Sequence, residues 1–188
     1  MVMDRFVTGA RPMVHNVPTA GIVGRSVWSG SVVHYLGEFW VAVPAAEFWQ
    51  MIETFERYQE WWPWLEGLSS HRPGLVTGNV LRATVVPPVP YRVRLQVRFE
   101  SCQRPSLAVA TISGDLRGRA SLSFDEHAGG TRVRAAWTLD AASTTMRVAA
   151  KVARPLMRWA HDRLVEMAVA GITRRVPPAP SPDRSRAP

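Results

Sequence analysis

The chain has 188 residues, which is enough for one domain with a sizeable core and too short for two domains of ordinary size. Its formal net charge of +8 would suit a nucleic-acid partner, but the two ends of the chain, residues 1–30 and 173–188, contribute +2 and +3 of it. The remaining +3 is ordinary for a domain, so we do not expect the chain to bind nucleic acid.

Cysteine usage and the pattern of apolar residues indicate the compartment. Cys102 is the sole cysteine, which excludes an intrachain disulfide and a cysteine-only zinc cluster and favours a reducing environment. Arginine, proline and polar residues interrupt every apolar stretch near the N-terminus, so we expect neither a signal peptide nor a membrane span. We therefore expect a cytoplasmic protein without a metal or cofactor, and the sequence leaves its oligomeric state open.

The two ends of the chain differ in composition from the middle. Residues 1–30 mix glycine, proline and isolated apolar residues without a regular period, which predicts a loose leader. Residues 176–188 are rich in proline and arginine and predict a disordered tail. The predicted single domain is residues 31–175.

The domain begins with a strand followed by two short helices. Apolar residues alternate over residues 31–43 and predict a strand. Pro44 suits the first turn of a helix, and apolar residues at helical spacing follow it up to Phe55. A second helical segment at residues 56–60 leads into the sequence WWPW at residues 61–64.

A period of two then continues for about seventy residues. It is clearest in residues 91–100, where apolar residues alternate with arginine, glutamine and glutamate, and it recurs in residues 116–125 and 132–140. Strands with one apolar and one polar face, joined by short turns, predict an antiparallel sheet with a solvated outer face. In residues 80–86 both alternating rows contain apolar residues, so the register there stays open.

The last predicted element is a helix that begins near Thr144, is interrupted at residues 154–155 and continues from Leu156 to about Arg175. Small residues on its apolar stripe would leave room for a ligand cavity against a curved sheet. These small residues are Ala160, Ala168 and Gly171. The alternative is that tryptophan side chains fill this room, namely those of Trp40, Trp49, Trp61 and Trp137.

This order of elements resembles the SRPBCC or START-like superfamily, in its polyketide cyclase/dehydrase-like and lipid-transport branch. Three passages carry the likeness: residues 43–64 (VPAAEFW to FERYQEWWPW), residues 114–133 (GDLRG and GGTRV) and residues 154–162 (RPLMRWAHD). The resemblance implies an α+β helix-grip fold, in which a seven-stranded curved antiparallel sheet wraps around a long C-terminal helix, with two short helices after the first strand.

The predicted ligand site lies between this sheet and the last helix. Arg82 is included because an inward guanidinium would require a carboxylate or an anionic ligand group, although an outward Arg82 is favoured. Trp61 is expected to plug the core, in contrast to the other two tryptophans of its cluster. The candidate ligand-binding residues are Tyr35, Phe39, Trp62, Trp64, Arg82, Tyr91, Thr111, Trp137, Leu164 and Ala168.

No catalytic residue can be assigned from the sequence. His161 and Asp162 are adjacent, which suggests acid–base chemistry, but neighbouring residues in a helix point about 100° apart. We therefore expect that Asp162 does not orient His161 and that both have structural or surface roles. The remaining histidines of the predicted domain lie on separate elements without the spacing of a metal site.

These observations favour a protein that binds a hydrophobic or amphipathic small molecule, lipid-like or polyketide-like, in the predicted cavity. The alternative is a cyclase or dehydratase that acts on a polyketide-type substrate in the same cavity. A basic module that binds nucleic acid or an acidic membrane surface is less favoured, because acidic residues accompany the arginines of the predicted outer face.

Overall fold

A computed structural model describes residues 23–176 of the chain. Its helices are α1 (Ala45–Glu53), α2 (Tyr58–Trp61), α3 (Thr144–Val152) and α4 (Arg154–Thr173), with one 3-10 turn at Phe55–Arg57. Its strands are β1 (Val23–Ser29), β2 (Val32–Val41), β3 (Leu65–Ser70), β4 (Val80–Val85), β5 (Val93–Gln103), β6 (Leu107–Gly114), β7 (Leu116–His127) and β8 (Gly130–Ala141).

The strands form one curved antiparallel sheet in the order β1-β2-β8-β7-β6-β5-β4-β3. In β5 the apolar side chains of Val93 and Phe99 are buried, whereas Arg94 and Arg98 are exposed, as the alternation in the sequence predicts. The buried face of the sheet packs against α1, α2 and α4, so the core lies between the sheet and these helices. The helix-grip architecture predicted from the sequence is confirmed.

The sheet has eight strands, one more than predicted. The additional strand is β1, which pairs along its whole length with β2 and lies within residues 23–29, a segment predicted to belong to the leader. The leader therefore ends earlier than residue 30, and its residues 1–22 lie outside the described residues, as does the tail from residue 177.

The C-terminal helical region is interrupted as predicted. α3 ends at Val152, and α4 begins at Arg154 with Pro155 in its first turn, where the missing N–H of proline costs no helical hydrogen bond. None of the helices in residues 23–176 is long and apolar enough to cross a membrane.

A buried asparagine fixes the loop between β3 and β4. The Asn79 side chain is 1% exposed, donates to the carbonyl oxygens of Arg72 and Gly74, and accepts from the backbone N–H groups of Arg72 and Val80. These bonds satisfy backbone groups that would otherwise be buried without partners. The loop thereby holds Leu75 against the core beneath the sheet.

Candidate functional site

Two apolar chambers lie between the sheet and the C-terminal helices. The α3 chamber has a volume of about 280 Å³ and is bounded by the ends of β2, β5 and β8, by α3 and by α4 from Met157 to Ala168. The α1 chamber has a volume of about 300 Å³ and is bounded by the middle of the sheet, by α1 and α2, and by the second half of α4. The volume of the α1 chamber equals the lower limit of the range for small-molecule pockets, and that of the α3 chamber lies just below this limit.

The two chambers share a wall made by Trp137 of β8 and by Val165 and Ala168 of α4. Trp137 faces Tyr35 across the β2–β8 pair, and their rings stack with centroids 4.0 Å apart and an interplanar angle of 17°. The stacked pair fixes the position of the indole between the chambers.

The Tyr35 hydroxyl is buried against Gly24 of β1 and Gly37 of β2. It lies directly over Gly37, where a methyl group would come within 2.0 Å of the hydroxyl oxygen. Among the described residues the hydroxyl has no hydrogen-bond partner. Burial, with a smaller contribution from the negative charge of Asp162, raises the pKa of Tyr35.

His161 forms the polar part of the α3 chamber wall. The indole Nε1 of Trp137 donates to His161 Nε2 at 3.2 Å, and because an indole N–H can only donate, the neutral imidazole carries its proton on Nδ1. His161 Nδ1 lies 3.2 Å from Asp162 Oδ1 and 3.3 Å from Ser26 Oγ. Burial lowers the pKa of His161, and the hydrogen bond and charge of Asp162 offset part of that effect.

The prediction that Asp162 does not orient His161 is therefore wrong. The two side chains bend towards the same point because Ser26 lies there and donates to Asp162 Oδ1 at 3.0 Å. Ser26 belongs to β1, the strand that the sequence did not predict, so the partner that brings the two side chains together was missing from the expectation.

Other polar atoms are few in the α3 chamber. The Tyr91 hydroxyl donates to the sulfur of Met157 at 3.4 Å, which is a weak hydrogen bond, and burial raises its pKa. Trp28 also lines the chamber, and its indole nitrogen is buried without a partner among the described residues. The chamber therefore combines an apolar lining with a small polar group around Tyr91, Trp28 and His161.

The α1 chamber is lined almost entirely by apolar atoms, among them those of Phe39, Phe48 and Phe124. Two of its polar side chains donate hydrogen bonds to backbone carbonyl oxygens. Trp62 Nε1 donates to the carbonyl oxygen of Ala168 at 2.9 Å, and the Tyr58 hydroxyl donates to that of Ile52. Burial raises the pKa of Tyr58.

Eight of the predicted site residues lie at the chambers. Trp64, Tyr91 and Leu164 line the α3 chamber, and Tyr35, Phe39 and Trp62 line the α1 chamber. Trp137 and Ala168 line both. Trp61, predicted to plug the core, is 2% exposed.

Arg82 and Thr111 are not at the chambers. Arg82 is exposed and contacts His71, because β4 turns Leu81 inward and Arg82 outward. Thr111 pairs with Arg98 and Arg119 on the outer face of the sheet. Its strand buries Ala108, Ala110 and Ile112 instead, and since the opposite row is also apolar, alternation could not decide the register.

The small residues of α4 have different roles. Ala168 lines the chambers, whereas Ala160 is buried in packing contacts. Gly171 permits close approach, since a methyl group there would lie 2.5 Å from the carbonyl oxygen of Trp61. Room for a ligand thus depends on Ala168 and not on the whole predicted set.

Three of the four tryptophans that the alternative places in the cavity lie elsewhere. Trp49 and Trp61 belong to the core cluster, and Trp40 donates from the outer face to the carbonyl oxygen of His127. Trp137 occupies only the wall between the chambers, so the space between sheet and helix is divided and not filled.

The outer face of the sheet is a mixed-charge surface. Arg132 and Arg134 both pair with Glu38, and Arg134 also pairs with Asp125 at 2.8 Å. Within residues 23–176 no group of three or more histidine, cysteine, aspartate or glutamate side chains could hold a metal ion.

Sequence comparison finds no family model and no curated protein that matches the chain. Structural comparison finds TTHA0849 from Thermus thermophilus, with a TM-score of 0.64 and 19% identity over 76% of this chain and 95% of that one. It also finds protein Ms6760 from Mycobacterium smegmatis, with a TM-score of 0.57 and 14% identity over 82% of this chain and 96% of that one.

A third similar structure is the di-domain ARO/CYC protein BexL from the BE-7585A biosynthetic pathway. Its TM-score is 0.60 and its identity 13%, and the alignment covers 81% of this chain and 52% of BexL. At these identities the likeness shows the fold alone. The chain has the helix-grip fold of SRPBCC and START-like proteins, as the resemblance in its sequence implied.

Proposed function

We propose that the protein binds a hydrophobic or amphipathic small molecule, lipid-like or polyketide-like, in the two chambers between its sheet and α4. The observation that carries the proposal is that two apolar chambers of about 280 and 300 Å³ adjoin at Trp137, Val165 and Ala168. Apolar cavities of this size leave contacts unfilled in the free protein, and an apolar ligand gains about 25 cal/mol for each Å² that it removes from water.

The distribution of polar atoms supports an orientation for the ligand. The polar groups of Tyr91 and His161 line the α3 chamber. In the α1 chamber the polar atoms of Tyr58 and Trp62 are bonded to the backbone, and the Tyr35 hydroxyl lies against Gly37. A ligand with an apolar body and one polar end would place its body in the α1 chamber and its polar end near His161. The few polar groups would then fix orientation, as is usual for pockets of this kind.

The test is displacement of a solvatochromic dye by fatty acids, together with native mass spectrometry of freshly purified protein for a co-purified small molecule. Ala168→Trp places an indole in the wall shared by both chambers and should weaken binding by more than about tenfold, which is ~1.4 kcal/mol. Glu166→Trp, on the exposed side of the same helix, is the matched control and should bind normally. Unchanged binding by a folded Ala168→Trp variant would contradict the proposal.

A second candidate function is cyclisation or dehydration of a polyketide-type chain. The observation that favours it is the presence of two groups able to move protons, His161 and Tyr91, on the wall of the α3 chamber. An aldol cyclisation would remove a proton from a carbon between two carbonyl groups, join that carbon to a third carbonyl, and expel water in the dehydration step. His161 Nε2 accepts the Trp137 N–H, so the indole would have to move before this nitrogen could take a proton.

The enzyme hypothesis is tested by incubating the protein with a poly-β-ketone thioester and following loss of water by mass spectrometry. Turnover that is lost in both His161→Gln and Tyr91→Phe, with ligand binding retained, would establish this function. Turnover that survives in both variants would exclude these two residues, and no turnover with intact binding would leave a carrier.

A further inference from the structure

Large apolar side chains are exposed along α3 and the first half of α4. Val148 and Val152 of α3 are 55% and 81% exposed, and Leu156 and Trp159 of α4 are 44% and 52% exposed. Within each helix the two residues are separated by three or four positions, so they lie one turn apart on the same side. Single exposed apolar residues are normal, but four on two consecutive helices mark an interaction surface.

The same two helices line the α3 chamber with their other sides. Met146 of α3 and Met157 and His161 of α4 line it. Burial of the inward residues accounts for the packing of these helices against the sheet, but it does not account for the apolar side chains that face outward. The exposed surface therefore needs a partner outside the described part of the chain.

Charge on this surface has one sign. Arg147, Lys151, Arg154 and Arg158 fall in this segment, and the sequence has no acidic residue between Asp140 and Asp162. Arg147 Nε lies 3.7 Å from Asp140 Oδ2, and the Arg154 guanidinium donates to the carbonyl oxygen of Trp28. Lys151 and Arg158 are exposed, and no ion pair involves either of them within residues 23–176.

We propose that this surface, which we call the α3–α4 face and define by Val148, Lys151, Val152, Leu156, Arg158 and Trp159, docks onto an anionic lipid bilayer. Aliphatic side chains gain by entering the acyl boundary, a tryptophan suits the headgroup level, and cations are attracted to acidic headgroups. An acidic protein would match the cations equally well. The bilayer is favoured because the four apolar side chains are exposed and none of them lines either chamber, so neither chamber offers a protein partner a groove at this face.

The outer face of the sheet provides the contrast. There Arg132 and Arg134 pair with Glu38, and the exposed side chains around Arg98, Thr111 and Arg119 are polar, whereas the exposed apolar side chains of the sheet, such as Val27 and Leu36, lie on β1 and β2. The α3–α4 face combines unpaired cations with exposed hydrocarbon, which is the combination that interfacial helices use. The inference does not depend on which ligand the chambers hold.

The first test is co-sedimentation of the full chain with vesicles of phosphatidylcholine, with and without phosphatidylglycerol. Binding should require the anionic lipid and weaken as salt is added. Lys151→Glu/Arg158→Glu should weaken binding by roughly 25-fold or more, because each cation near the surface contributes about fivefold to the affinity. Arg98→Glu/Arg119→Glu is the matched control, because it changes net charge equally on the outer face of the sheet.

The second test measures whether the apolar residues insert into the bilayer. Brominated lipids should quench the protein's tryptophan fluorescence, and Trp159→Phe should remove most of this quenching while the variant still sediments with the vesicles. Val152→Ser should reduce both quenching and binding. Each of these positions is exposed, so the variants should fold normally.

Three results would overturn the inference. Equal loss of binding in both double variants would indicate diffuse attraction by net charge. Binding to an acidic carrier protein, lost in Lys151→Glu/Arg158→Glu, without binding to anionic vesicles would indicate a protein partner. A dimer in solution that Val152→Ser/Trp159→Ser converts to a monomer, with vesicle binding unchanged, would assign the face to a second copy of the chain.

Discussion

The indole Nε1 of Trp137 donates a hydrogen bond to Nε2 of His161 at 3.2 Å, and so connects the wall between the two chambers to the polar cluster of the α3 chamber. The bond exists only while His161 is neutral at Nε2, because protonation would set two N–H donors against each other. The arrangement of the site is thus coupled to the ionisation of one imidazole.

We predict that the stability of the protein falls with pH below about 6.5, the ordinary pKa of histidine, because of this residue. The folded-state pKa of His161 is lowered, so the unfolded chain binds the proton more readily. The stability that neutral His161 contributes is fully present above its pKa in the unfolded chain, and it is lost as pH falls through its pKa in the folded protein. Urea denaturation at several pH values should show that the free energy of unfolding depends less on pH in His161→Gln than in the wild type.

A second prediction concerns Asp162, whose charge and hydrogen bond raise the pKa of His161 against the effect of burial. Asp162→Asn removes this support, so the pKa of His161 should fall further. Titration of the imidazole ring protons by NMR would measure it. A pKa that rises in this variant would show that Asp162 does not stabilise the imidazolium, whereas Asp125→Asn, on the outer face, should have no effect.

Much of the fold follows from alternation in the sequence, and the exceptions have physical causes. In β5 only one row is apolar, so Val93 and Phe99 had to face inward. In β1 the inward row contains Gly24 and Ser26 as well as Trp28, so no apolar alternation marks the strand. The α3–α4 face was missed because helical spacing places the apolar stripe but does not tell which apolar residues remain outside it.

The candidate site was predictable to a similar extent. Trp137, on a strand of clear register, lines both chambers, and Tyr91, in the loop before β5, lines the α3 chamber. Alternation does not fix the register of β4 and β6, because both of their rows contain apolar residues. Arg82 faces outward, as favoured, and Thr111 lies on the outer face and not at the chambers. The cluster of Ser26, His161 and Asp162 joins residues 135 positions apart, and no local pattern reports such a contact.

A third prediction addresses the shared wall. Trp137→Ala should join the two chambers, so the preferred ligand should become longer or bulkier in a series of fatty acids of increasing length. The loss of the stacked, partly buried indole should lower the free energy of unfolding by about 3–5 kcal/mol. An unchanged chain-length preference in the folded variant would show that the indole does not separate the chambers.

Trp137→Phe is the conservative partner of that variant. It keeps a ring against Tyr35 but removes the N–H, so it should cost only about 1 kcal/mol of stability and leave ligand length unchanged. Trp40→Ala, on the outer face, controls for the loss of an indole elsewhere and should not change ligand preference.

A fourth prediction concerns Gly171. Alanine is the better helix former by about 1 kcal/mol, but the added methyl group would lie 2.5 Å from the backbone carbonyl oxygen of Trp61, which cannot move aside as a flexible side chain could. Overpacking of this kind costs about 1–3 kcal/mol, so Gly171→Ala should lower stability. Thermal denaturation would measure the change, Arg174→Ala is the exposed control at the end of the same helix, and a stabilised Gly171→Ala would show that α4 can shift freely.

The contact at Gly171 has a mechanical consequence. Backbone contacts backbone at that end of α4, which limits movement of the helix there, whereas its other end begins after the break at Ala153 and is held by side-chain hydrogen bonds of Arg154 and His161. If the chambers hold a ligand as proposed, room for it should come from movement of the amino-terminal half of α4 and not from the carboxyl-terminal end near Gly171.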